Sequence, residues 1–191
     1  MISLHVFTEE PSAKNVFREI LPRILPESVT FRIYDHQGKQ DLERALRTTL
    51  PSISKIPGAR ILITRDQDSG DCKEVKAKLI EVINGKCHSP YLIRIVCREL
   101  ESWFLGDLYA IQKAYPRLKP ESHIHKAEFR NVDNIQNPNQ FLLKIIPEYS
   151  EINSLPKLEA SENIAKYLNF NANSSTSFNE TVTGLKKLVE L

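Results

Sequence analysis

Four times in the first hundred residues a short apolar or β-branched run gives way to a segment of helical periodicity, and this alternation limits the fold more than any other feature. ISLHVFT (2–8) precedes EEPSAKNVFREILPRIL, in which Val16, Phe17, Ile20, Leu21 and Ile24 recur at helical spacing. VTFRIYD (29–35) precedes GKQDLERALRTTL, with Leu42, Ala45, Leu46 and Leu50 on one face, and ARILITR (59–65) precedes GDCKEVKAKLIEVIN. PYLIRIVC (90–97) supplies a fourth run. ARILITR is nearly all apolar, as a strand covered on both faces must be. Successive parallel strands need a crossover, and a helix is the usual one. The pattern predicts an α/β domain with a mostly parallel sheet of about four strands flanked by helices.

After Tyr115 the rhythm changes. A long polar connection runs from Pro116 to Pro138, and NQFLLKIIPEY, SENIAKYLN and SFNETVTGLKKLVEL read as helices. The reading is an α/β domain over 1–115 and a C-terminal helical extension over 116–191. Its apolar faces are too small for a separate core, so a soft boundary within one structural unit is expected. Ser12 is a candidate cap for the first helix and Pro22 its kink or end. Ser175, Ser177 and Phe178 suggest a cap with a packing anchor for the last helix, with Glu180 completing a capping box.

Charge says little about partners: Lys plus Arg total 26 against 24 for Asp plus Glu, so a net charge of +2 neither demands nucleic acid nor excludes it. Cys72, Cys87 and Cys97 are odd in number and lack C-x-x-C spacing, which argues against a zinc knuckle or a secreted disulfide framework. The start MISLHVFTEEPS has no basic leader, and no run approaches the roughly 20 apolar residues of a membrane span. The expectation is a cytoplasmic protein that does not enter the membrane.

Acidic residues fall where strands end. Glu9 and Glu10 follow the first run, Asp66 and Asp68 the third, and Glu99 and Glu101 the fourth. In an open parallel sheet these ends share one edge, where ligands bind. Oxygen ligands without histidine or thiolate suit Mg²⁺, which keeps several waters and completes its shell with phosphate oxygens. The competing reading is a turn and helix start for Asp66 and Asp68, and first-turn acids at a helix N-terminus for Glu9 and Glu10. Lys14 and Arg18 lie at helical spacing after Glu9, and His36 and Lys39 follow the second run, as candidate substrate contacts or as solvated and turn residues. Trp103, the only tryptophan, is a base-stacking platform on one reading and core on the favoured one. His123 and His125 lack a third ligand nearby in sequence, which makes zinc a weak hint.

FTEEPSAKNVFREIL and LITRDQDSGD resemble the glutamate and D-x-D strand ends of Toprim-type domains. RELESWFLGD, NPNQFLLKIIPEY and SSTSF resemble the bacterial domain family numbered 4276 (DUF4276), itself regarded as Toprim-like, and the resemblance runs from residue 2 to about 188. It implies a Toprim-like, Rossmann-like fold and a nuclease dependent on Mg²⁺ or Mn²⁺, related to the overcoming-lysogenization-defect type, acting on DNA or RNA, with a role in phage defence. By the same resemblance Glu9 is the general acid/base and Asp66 and Asp68 are metal ligands, with Glu101 a candidate further metal-site acid. The chain departs from the pattern at Glu10, where many such nucleases have glycine, and at Ser150, where a lysine often follows the tyrosine; Lys157 is the candidate replacement. A second reading is a silent or partner-dependent module working with an ATPase encoded nearby, since the chain has no phosphate loop of its own. Homo-oligomer formation stays open. A phosphoacceptor receiver domain also keeps acids after strands one and three, but it needs a lysine after a fifth strand.

Overall fold

The computed structural model describes residues 1–190. Its sheet has four strands, β1 (Ile2–Thr8), β2 (Val29–Asp35), β3 (Ala59–Asp66) and β4 (Tyr91–Val96), all parallel and ordered β2-β1-β3-β4. The fold is α/β and Rossmann-like. No fifth strand is present among the described residues, which removes the receiver-domain reading.

Strand alternation sends side chains to two helical layers. Leu4, Val6 and Leu62 enter a core shared with α1 (Pro11–Ile24), α5 (Glu101–Leu105), α6 (Leu108–Ala114), α7 (Pro138–Ile145), α8 (Lys157–Ala165) and α9 (Thr176–Glu190). Phe7, Ile61, Ile63 and Ile93 enter a second core with α2 (Lys39–Thr48), α3 (Leu50–Ile53) and α4 (Cys72–Ile83). The first core runs without a break from Leu4 to Val189, so the C-terminal helices complete the layer that the first hundred residues begin. Helix α8 packs on α1, and α9 lies against β4 and β3.

Three local expectations are corrected. Ser12 does not cap α1: Glu10 holds the cap position with Pro11 in the first turn, and the helix passes Pro22 to end at Ile24. The helix expected over ELESWFLGDLYAIQKAY is two helices, broken at Gly106, with Asp107 capping the second through the Ala110 N–H. A Cβ at Gly106 would strike the Asn173 carboxamide, so only glycine admits this close approach. Ser175 caps α9 by accepting from the Phe178 N–H, while Glu180 pairs with Arg94 and forms no capping box. Trp103 is fully buried, edge-on to Phe17 and Phe178, and its indole N–H donates to Ser177 at 3.1 Å. It is core and offers no face to a base.

Candidate functional site

The strand order creates a switch point. From β1 the chain winds outward to β2, and from β3 it winds the other way to β4, so a crevice opens beyond the C-terminal ends of β1 and β3. Thr8 and Thr64 are partners across that pair. Glu9 therefore lies one residue beyond β1 and Asp66 closes β3, on opposite lips of the crevice. They meet: the Asp66 N–H donates to Glu9 Oε2 at 3.2 Å. A distance that long in sequence, closed this tightly, is set by the parallel register.

Four carboxylates gather here. Glu101, on the first turn of α5 after β4, is only 1% exposed, and its Oε2 has no hydrogen-bond partner. Glu10 Oε2 accepts from Ser12 and lies 3.4 Å from Lys157 Nζ, which is 3.8 Å from Glu101 Oε1. Asp66 Oδ2 accepts from the Leu100 N–H at 3.4 Å, which ties the end of β3 to the segment leading into α5. Arg65 stands behind Glu9, its Nε 3.8 Å from Oε2 without a hydrogen bond, and its other end reaches Glu43.

Crowding acids away from water makes their ionisation costly. Burial first, then the charges of Glu101, Glu9 and Glu10, hold Asp66 well above the usual carboxylate range. Burial pushes Glu101 up to about 7 in spite of Lys157, whose ammonium is too distant to hydrogen-bond. Glu9 is raised as well, by burial set against Arg65 and the Asp66 amide. Burial pulls the Lys157 ammonium down, but Glu101, Glu10, Glu99 and Asp66 together outweigh it and leave its pKa raised. Lys157 and Arg65 are two cations set against four acids.

The two aspartates of the D-x-D stretch part company. Asp66 faces the cluster, whereas Asp68 is exposed in the left-handed region (φ 55°), its N–H donating to the Arg98 carbonyl at 2.8 Å. Arg98 is also left-handed (φ 59°) and its N–H donates to Gln67 Oε1. Such backbone costs about 1–2 kcal/mol per non-glycine residue, and the paired loops hold it in place. Neither aspartate caps α4; Asp71 does, through the N–H groups of Lys73 and Glu74. The cap reading is thereby removed for both, while the turn reading holds for Asp68, which lies in the turn that the Gly70 N–H closes on the Gln67 carbonyl. Glu99 turns away to accept from the Asn139 N–H.

The candidate substrate contacts are dispersed. Lys14 pairs with Asp35 at 2.7 Å, Arg18 with Glu162, and Lys39 is exposed on the first turn of α2. His36 is buried against Phe7 and bonded through Nδ1 to the Thr8 carbonyl at 2.8 Å, so it braces the β1 end while lining a cavity of about 410 Å³ with Glu10 and Lys157. The space walled by Glu9, Glu10 and Asp66 is only about 10 Å³.

Among the described residues, no three His, Cys, Asp or Glu side chains converge closely enough to form a ready metal centre, the His123 and His125 region included. The donor set nonetheless fits a hard cation: all oxygen, one buried carboxylate atom unpartnered, and acids whose ionisation burial opposes. No helix among the described residues is long and apolar enough to cross a membrane. The family model described as "Domain of unknown function (DUF4276)" matches residues 8–186. No curated protein and no solved structure matches the chain.

Proposed function

The chain belongs to the DUF4276 family, and from its crevice we propose that it is a Mg²⁺- or Mn²⁺-dependent, Toprim-like phosphodiesterase acting on nucleic acid. The observation that carries this reading is the carboxylate cluster at the switch point, with Glu9 and Glu101 buried, Asp66 half-buried, and Glu101 Oε2 left without a partner. Asp66 and Glu101 are the residues to hold the ion, with Asp68 at the rim. A bound divalent ion supplies charge stabilisation at the phosphoryl oxygens and lowers the pKa of an attacking water.

The protein's own groups do the rest. Glu9, raised above the ordinary carboxylate value by burial and held in place by the Asp66 N–H, suits the exchange of a proton with water or the leaving oxygen. Lys157 sits where a phosphate oxygen needs a counter-charge, from a segment far along the chain. The test is cleavage of labelled single- and double-stranded DNA and RNA with Mg²⁺ or Mn²⁺. Activity should vanish in a chain carrying both Glu9→Gln and Asp66→Asn; cleavage surviving the pair refutes the assignment.

The narrowness of the crevice favours a second reading, in which the module works only beside a partner such as an ATPase. A space of about 10 Å³ holds no phosphate, so the lips must part before substrate enters. Co-purification with the product of a neighbouring gene, and cleavage only in that complex, would support this reading. Full cleavage by the isolated chain would exclude it.

A further inference from the structure

Beside the carboxylate crevice runs a groove that none of the chemistry above uses. Its larger part, about 500 Å³, lies between α7 and the turns over Ala127–Arg130 and Val132–Asn134, within the range of about 300–1,000 Å³ typical of ligand clefts. A second hollow of about 340 Å³ shares the walls Gln136 and Asn137 and reaches Asp68, Arg98 and Glu99. The two hollows adjoin at Gln136 and Asn137, and the second reaches the D-x-D loop. Its link to the crevice is short: Glu99 accepts from α7 through the Asn139 N–H, and the next residue, Leu100, donates to Asp66.

The lining is unusual for a surface groove. Asn131, Asn134, Gln136, Asn137 and Gln140 bring five carboxamides, and among the described residues none makes a side-chain hydrogen bond to protein. A carboxamide offers both a donor and an acceptor, the pairing that base edges present. Arg130 and Lys144 flank these amides, both exposed and neither in an ion pair, against Glu128 in the larger hollow, while Arg98 stands beside Asp68 and Glu99 in the smaller one. Half-buried Phe141, set edge-on to Phe129, adds an aromatic surface to the wall. Cations for phosphates, amides for base edges and an aromatic ring form the combination that holds single strands, whose unstacked bases can be reached from the side.

We infer that the groove between α7 and the Ala127–Asn134 turns is a binding track for a single-stranded nucleic-acid segment, leading it past Asp68 to the crevice. The choice of ligand rests on the phosphodiesterase reading, but the track is tested with cleavage switched off. Binding of a short fluorescein-labelled single strand, DNA and RNA in turn, is followed by anisotropy in EDTA, using the full chain carrying Glu9→Gln as the parent.

Adding Arg130→Ala and Lys144→Ala together should weaken binding at least tenfold. Removing two phosphate contacts should also lower the slope of log K against log salt by about 1.4, at about 0.7 per contact on single strands. Adding Asn134→Ala and Gln140→Ala instead should weaken single-strand binding about fivefold or more, with the salt slope kept. All four positions are exposed, and a melting curve matching the parent's establishes that each variant is folded. The assignment is overturned by an unchanged affinity and slope in the Arg130/Lys144 variant, by a duplex bound as tightly as the single strand, or by a parent chain that binds neither strand type. Loss of cleavage in the wild-type chain with binding intact would sink the phosphodiesterase reading and leave the track standing.

Discussion

Replacing Glu101 by glutamine should make the protein more stable above neutral pH. The folded carboxyl titrates at about 7 against an ordinary value of 4.5, and the side chain is 1% exposed, so solvent screens little of the effect. At about 1.4 kcal/mol per unit, ionising it in place costs the fold about 3 kcal/mol. Between about pH 4.5 and 7 the folded chain holds a proton here that the unfolded chain has released. Stability from this group is therefore full below about pH 4.5, falls as pH rises, and is gone above about 7. Glutamine keeps the shape and cannot ionise, so its curve lacks this decline. Urea unfolding followed by circular dichroism in EDTA, at about pH 5 and about pH 8, measures the difference. With a urea slope of about 1–3 kcal/mol per molar, the variant's midpoint at pH 8 should exceed the wild type's by about 1–3 M, and at pH 5, where the decline has only begun, by about a quarter of that. Parallel curves for the two proteins, or a variant weaker at pH 8, would refute the claim that the buried carboxylate is held at a cost.

Saturating Mg²⁺ should raise the melting temperature at about pH 8 by about 5–10 °C, the effect of a ligand at a hundred times its Kd, and by far less at pH 5, where Glu101, pushed up to about 7, keeps its proton; a rise that ignores pH would refute this. Asp71→Ala should cost about 1 kcal/mol in urea unfolding, since it removes the acceptor for two N–H groups at the start of α4. Gly106→Ala should destabilise by about 1–3 kcal/mol, because the added methyl strikes an Asn173 carboxamide already committed to the Trp103 carbonyl and the Ser175 N–H; a neutral result would mean that the loop shifts freely.

Much of the architecture was legible because period-two and period-3.6 patterns report burial, and burial here is two-sided. ARILITR reads as a central strand for the same reason that Ile61, Leu62 and Ile63 are fully enclosed. The split between α5 and α6 was hidden, since Gly106 is required by an asparagine in the last turn before α9 rather than by its own neighbours. Ser177 looked like a cap and instead receives the indole of Trp103 and the Cys97 N–H. The acids after β1, β3 and β4 could be placed on one edge, but which of them touch depends on the order β2-β1-β3-β4, which no local pattern encodes. The left-handed turn at Asp68, which separates it from Asp66, depends on pairing with the loop after β4. The amide-lined groove was missed because its members are ordinary polar loop residues until α7 and the preceding turns face one another.

Lys157 gives the order of synthesis a chemical meaning. The acids at positions 9, 10, 66 and 101 leave the ribosome well before the ammonium that lies among them, at about 5–20 residues per second. For some seconds of every molecule's birth those acids have been made and Lys157 has not, so the ammonium joins them only once the segment of α8 follows.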